Sequence, residues 1–299
     1  MIPPPHKIVD LRTPDGAMIR LRRYGNPEGP RLALSHGNGL AIDGYFPFWD
    51  LLRERYDLML FDFRNHGQNP LTNFTDHNWT QFVRDLEQIF AAIQAHFGAK
   101  PMAGAFHSMS ALAASRQIQR HGLRWDPLFL FDPPFYPPPD HPLHRDQLGN
   151  EDDIAVRAAK RTTAYADPSE LAASFARRMT RWRPETYELM ARATLRHNAA
   201  DGQWKLACPR EYEAHIYLTN RDPAVWRGVS AMPGAIKLIC GDPEIPDAMP
   251  PSLLGRALAA ETGLAYEAIP ETTHFLQIEK PRACIEAMES FLRLHHVID

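Results

Sequence analysis

The sequence predicts an α/β protein: a mostly parallel, doubly wound sheet with an inserted helical cap. Three observations lead there. Five short apolar runs, RLALSHG, YDLMLFDFR, KPMAGAFHS, DPLFLFDPP and AIKLICGDP, end in small or polar residues, as strands buried on both faces do. Helical patterns lie between them, most clearly from Trp79 to Phe97. The alternation then stops at Pro133 and returns only at Ala235.

The chain opens with two β-rich runs, Lys7 to Leu11 and Met18 to Tyr24. They flank Thr13-Pro14-Asp15-Gly16 and read as a hairpin. The first apolar run follows the loop Gly25-Asn26-Pro27-Glu28-Gly29-Pro30. In the helical pattern, Trp79, Phe82, Val83, Leu86, Ile89, Phe90 and Ile93 recur at three- and four-residue spacing, and Asn78 is placed to cap it. Strand and helix alternate to the end of LFLFD, which argues against a sandwich or a helical bundle and puts a ligand at the carboxyl ends of the strands.

A proline-rich entry, PPFYPPPDHP, then leads into Ala- and Arg-rich helical stretches. Residues 1–132 and 233–299 are expected to form two parts of one α/β core, with 133–232 as the cap. The cap carries Phe135, Tyr136, Tyr165, Trp182, Tyr187, Trp204, Tyr212, Tyr217 and Trp226, which either line an apolar pocket or fill the cap's own small core. At the carboxyl end, PPSLLGRALAAETG reads as helix and LAYEAIPE as extended chain. FLQIEKPRACIEAMESFLRLHH reads as a closing helix kinked near Pro281.

Bulk composition excludes several classes. With 299 residues, 44% of them hydrophobic, the chain can bury a full core and carry an extra module of about 100 residues. A net charge of -3 without any Lys/Arg run gives no field for nucleic acid. The start, MIPPPHKIVD, has no apolar stretch fit for a signal peptide or membrane anchor, so a cytoplasmic address is expected. Cys208, Cys240 and Cys284 are odd in number and lack CxxC spacing, which reads as buried, idle thiols. His141 and His144 have HxxH spacing, but Pro142 between them disfavours a helix and no third metal ligand is evident. Gly37-Asn38-Gly39 lacks the third glycine of a dinucleotide fingerprint, and no Walker sequence is present. A small-molecule substrate and no cofactor or metal are therefore expected. Oligomeric state is not encoded in any of these features.

One constellation carries chemistry. Ser108 joins the strand PMAGAFH to the helix MSALAASRQIQR, where a residue takes a strained backbone and points its side chain out of the sheet. The usual form is G-x-S-x-G; here it reads Phe106-His107-Ser108-Met109-Ser110. Ser35-His36-Gly37-Asn38-Gly39 ends an earlier strand with flexible backbone that can aim an N–H above Ser108. The N–H of Met109, at the helix head, would make the second donor of an oxyanion hole. A serine hydroxyl needs a histidine oriented by a carboxylate. His274 follows the last expected strand, and Asp242 and Glu244 follow the strand AIKLICG.

The segments HGNG, DFRNHGQN, FHSMS, CGDPE and THFLQIEKP resemble, in order and spacing, the capped single-chain members of the α/β-hydrolase superfamily, over nearly all of the chain except the cap. In that family the patterns look like HGxx, DxRGHGxS, GHSMGG, GxxD and GGHxxxxExP. The resemblance implies an α/β-hydrolase fold with Ser108 as nucleophile, His274 as base, Glu244 as acid, and the N–H groups of Asn38 and Met109 as oxyanion donors. Asp132 and Asp242 are the alternative acids, Asp132 because some members place the carboxylate at the end of that strand. His36, His66 and His107 recur in the motifs and read as loop-holding residues. Phe106 and Ser110 replace the elbow glycines, Asn65 and Asn69 replace a glycine and a serine of the second motif, and Glu244 stands where aspartate is commoner. A serine at the nucleophile position disfavours the epoxide hydrolase and haloalkane dehalogenase branches. The expectation is a cofactor-independent serine hydrolase, cleaving a small to medium apolar carboxylic ester, lactone or thioester through an acyl-enzyme. The alternatives are a carbon–carbon bond hydrolase of a diketone-type substrate and a non-catalytic ligand receptor.

Overall fold

The computed structural model describes residues 1–232 and 234–299. Strands β1 (Lys7–Arg12) and β2 (Met18–Gly25) form the antiparallel hairpin expected. Next come β3 (Arg31–Ser35), a short α1 (Phe46–Trp49), β4 (Asp57–Phe61) and α2 (Trp79–Phe97). Asn78 Oδ1 accepts the Gln81 N–H at 3.0 Å and so caps α2. The first half closes with β5 (Met102–His107), α3 (Met109–His121) and β6 (Leu128–Phe131).

The intervening stretch contains α4 (His144–Ala159), β7 (Ala164–Tyr165), α5 (Pro168–Arg178), α6 (Pro184–Thr194), β8 (Leu195–Asn198), β9 (Gln203–Leu206), α7 (Arg210–Leu218) and α8 (Ala224–Gly228). It corrects the purely helical expectation, because β7, β9 and β8 pair into a small antiparallel sheet. These strands are four residues or fewer, too short for a period-2 pattern to stand out against the helices around them. The expected boundary at 232/233 falls on Pro233, outside the described residues.

The main sheet resumes with β10 (Ile236–Cys240), α9 (Pro250–Thr262), β11 (Ala265–Ala268), α10 (Leu276–Glu279) and α11 (Pro281–Leu294). The closing helix is thus two helices. Pro281 crowds the residue before it out of the helical region, and Lys280 sits at φ -130°.

Eight strands share one sheet in the order β1-β2-β4-β3-β5-β6-β10-β11, parallel from β4 onward. Both faces are covered. In β4, Leu58 and Leu60 pack on one side and Met59 and Phe61 on the other; in β6, Phe129 and Phe131 oppose Leu128 and Leu130. That two-sided burial explains why the five runs read as continuously apolar. From β3 the chain crosses to β4 on one side and then to β5 on the other, so a crevice opens where these strands end. Among the described residues, no helix is long and apolar enough to cross a membrane.

Candidate active site

Ser108 follows β5 directly and has φ 54° and ψ -114°, a strained backbone for a residue with a side chain. Two substitutions at the elbow are compensated locally. The Phe106 ring is fully buried against Phe61 and Trp125, and it occupies space that Gly104, two residues back on the same face, leaves open; a Cβ on Gly104 would lie 2.7 Å from that ring. The small residue has moved one pleat upstream. Ser110 uses its hydroxyl to fasten the turn, accepting the His107 N–H and donating to the His107 carbonyl, both at 2.9 Å.

Register decides which carboxylate meets the histidine. His107 pairs with Phe131, and Phe131 with Ile239, so Ser108 and Asp132 are each the first residue past the end of adjacent strands. Neighbouring strands lie about 4.8 Å apart. His274 returns from the loop after β11 and bridges them. Its Nδ1 lies 2.6 Å from Asp132 Oδ2, and its Nε2 lies 2.9 Å from Ser108 Oγ. With Nδ1–H donating to the carboxylate, Nε2 is free to accept the serine proton.

The Asp132 side chain is fully buried at φ 44°, and its other oxygen accepts the Gly241 N–H at 3.1 Å. Glu244, the first choice from sequence, is not placed beside His274: its side chain is 77% exposed and pairs with Arg256. It lies beyond the end of β10, one strand further from Ser108. Asp242 has a different task. It accepts the N–H groups of Glu244 and Glu271 at 2.8 and 2.7 Å, and these bonds hold its carboxyl below the usual range. Asp242 thereby ties the β10 loop to the loop that carries His274. Gly241 permits that closeness, since a Cβ there would lie 2.5 Å from the Thr273 carbonyl.

Two further groups position the histidine. Glu279 accepts the Thr273 N–H at 2.7 Å and the Thr273 hydroxyl at 2.5 Å, just ahead of His274. Burial raises the Glu279 pKa. His107 Nε2–H donates to the His274 carbonyl at 2.8 Å; its Nδ1 accepts from the Tyr45 hydroxyl at 2.7 Å, which in turn accepts the Gly37 N–H at 3.3 Å. One chain of bonds therefore links the loop after β3 to the loop of His274. Sequence reasoning missed Tyr45 altogether, because nothing local ties it to residue 107.

His36 and His66 hold the same glycine loop, as expected. His36 donates to the Gly37 carbonyl at 2.8 Å and accepts the Phe63 N–H at 3.1 Å. His66 donates to the Arg64 carbonyl at 2.9 Å and accepts the Gly39 N–H at 3.2 Å. Burial pushes the pKa of all three loop histidines down, and His274 lowers that of His107 further. Asn65 takes the left-handed φ of 63° that glycine would otherwise supply, and its amide bonds Thr72 and His77. Asn69 bonds the carbonyls of Asp62 and Phe63.

Above Ser108, the backbone N–H groups of Asn38 and Met109 donate to no protein acceptor among the described residues. A cavity of about 280 Å³ opens over Ser108, His274 and Asn38. Of the aromatic candidates, only Tyr217 lines it; Phe135, Tyr136, Tyr165, Trp182, Tyr212 and Trp226 are buried in packing. Its walls also carry Glu151, Arg157, Arg161, Arg178 and Glu213, which no motif disclosed. Among the described residues no group of three or more His, Cys, Asp or Glu is placed to hold a metal ion. His141 pairs instead with Glu261, and His144 with the Pro137 carbonyl.

A model of the alpha/beta hydrolase family matches residues 32–287. No curated protein matches the chain. Among solved structures, the chain is similar to an E-2-(acetamidomethylene)succinate hydrolase, with TM-score 0.76 and 16% identity over 96% of this chain and 100% of that one. It is also similar to a thioesterase domain from the curacin biosynthetic pathway, with TM-score 0.73 and 15% identity over 96% and 99%. A thermophilic esterase from Thermogutta terrifontis, solved with malate bound, gives TM-score 0.68 and 18% identity over 97% and 99%.

Proposed function

The chain belongs to the alpha/beta hydrolase family, and from that premise we propose that it is a cofactor-independent serine hydrolase acting on a carboxylic ester, lactone or thioester. The observation that supports this most is the unbroken line Asp132 Oδ2, His274, Ser108 Oγ on a serine held at φ 54°. His274 Nε2 takes the hydroxyl proton as Ser108 Oγ attacks the carbonyl carbon. Asp132 keeps the proton of Nδ1 in place and stabilises the imidazolium that forms. The new oxyanion is received by the N–H groups of Asn38 and Met109, the second of which also stands at the positive end of α3.

His274 then gives its proton to the leaving alcohol or thiol as the acyl–oxygen or acyl–sulfur bond breaks. Water enters, loses a proton to His274 and attacks the acyl-enzyme. The acid leaves and Ser108 regains its proton. The segment 133–232 acts as a cap, excluding bulk water and selecting the substrate through the cavity it roofs.

The test is covalent labelling with a fluorophosphonate, read by intact mass and peptide mapping. One adduct on Ser108, absent from Ser108→Ala and strongly slowed in His274→Ala, is expected. An unlabelled wild type, together with no ester turnover, would overturn the proposal in favour of a ligand receptor.

A further inference from the structure

One face of α4 runs along the cavity wall. Glu151, Ile154 and Arg157 follow one another there at three-residue spacing, with Ala158 four residues after Ile154, and Arg161 comes just beyond the helix end. The Glu151 end is fixed near the reacting serine, because Glu151 and Ser108 share a second cavity of about 10 Å³, room for one water. With a rise of 1.5 Å per residue, Arg157 stands about 9 Å further along. The cavity also has apolar lining, with Ile154 from α4 and Phe175 and Met179 from α5 and its end.

The cavity wall carries three arginines, Arg157, Arg161 and Arg178. Arg161 is answered by Glu213, but only through Nη1. The Arg157 side chain has no hydrogen bond or ion pair among the described residues, and that of Arg178 only donates to the Ser174 carbonyl. Burial, and then the repulsion of nearby Arg161, lower the Arg178 pKa. Glu151 does not compensate: it is buried, accepts Gln147 and Asn220 at 2.7 and 3.0 Å, and burial pushes its pKa up to about 8. Arg157 and Arg178, both exposed, thus line one cavity without an ion pair among the described residues, in a chain whose net charge is -3.

We propose that the substrate carries an anionic group, a carboxylate or a phosphate, that seats against Arg157 and Arg178, with an apolar spacer between it and the scissile carbonyl at Ser108. This deepens, and rests on, the hydrolase reading. A planar guanidinium binds either anion through two parallel N–H bonds, and a pair of arginines approaching from two helices fixes the distance between anion and carbonyl.

The experiment compares the p-nitrophenyl monoester of adipic acid with its methyl-capped neutral isostere, and with a p-nitrophenyl ester ending in phosphate. For wild type, kcat/KM is expected to favour an anionic ester over the neutral one by about tenfold or more, chiefly through KM. The two anionic arms tell carboxylate from phosphate. In Arg157→Gln/Arg178→Gln that ratio should fall to near parity, while Arg192→Gln, an arginine paired with Glu188 and not among the cavity-lining residues, should retain it. A wild type indifferent to the charge, or a ratio that survives the double substitution, overturns the proposal. If no ester is turned over at all, the hydrolase reading fails. The anion site is then decided by calorimetry on Ser108→Ala, where monomethyl adipate must bind more tightly than dimethyl adipate or the proposal falls too.

Discussion

Replacing Asp132 by asparagine separates register from motif as the guide to the acid. Asp132 Oδ2 lies 2.6 Å from His274 Nδ1, on a fully buried side chain. With charge centres roughly 4 Å apart and an effective dielectric of about 20, the carboxylate stabilises an imidazolium by about 4 kcal/mol. At 1.36 kcal/mol per decade, losing it lowers kcat roughly 10³-fold. The Gly241 N–H adds a second effect, since it occupies the other oxygen at 3.1 Å. An asparagine satisfying Gly241 with its carbonyl turns its NH2 toward His274 Nδ1. That favours the tautomer with the proton on Nε2, facing Ser108, and takes the loss toward 10⁴-fold. The assay is kcat on a neutral chromogenic ester, with thermal unfolding to establish that each variant is folded. Glu244→Gln, a change at an exposed side chain, should keep kcat within about twofold of wild type. An Asp132→Asn enzyme within about tenfold of wild type, beside a Glu244→Gln enzyme down three decades, would refute the register argument.

Two other outcomes test the structure's energetics. Phe106→Ala, though it makes the elbow resemble its usual small-residue form, should destabilise the protein by about 3–5 kcal/mol, because the ring fills the space beside Gly104, Phe61 and Trp125; a urea-derived loss below about 1 kcal/mol would contradict that packing. Glu151→Gln should become increasingly more stable than wild type as pH rises from about 4.5 toward about 8. Between those values the native carboxyl keeps a proton that the unfolded chain has released, so native stability falls with pH, and a gap between the two proteins that does not vary with pH would refute this.

Much of the core was legible because its signals are local. The runs at β3, β4, β5, β6 and β10 are apolar on both faces, Trp79–Phe97 has a helical period with Asn78 as its cap, and the Thr13–Gly16 turn announces a hairpin. The positions of Ser108 and His274, the proposed nucleophile and base, were legible for a related reason: a strand-to-helix junction and a loop ahead of the last helix can be read from neighbours in sequence. Pro281 likewise announced the break that divides α10 from α11.

What the tertiary structure decided depends on contacts between residues far apart in the chain. Asp132 and His274 are 142 residues apart, and only the pairing of β6 with β5 and β10 sets that carboxylate, rather than Glu244, beside the histidine. Tyr45 reaches His107 across 62 residues. The arginines of the cavity wall need α4, packed on α7, and α5, packed on α6, to line one space, and their helical period is equally compatible with solvent on that side. Local patterning thus determined the elements of the main sheet and marked Ser108 and His274, the proposed nucleophile and base. Register and the packing of residues 133–232 determined which carboxylate reaches His274, the hydrogen-bond braces and the charged side chains that line the cavity.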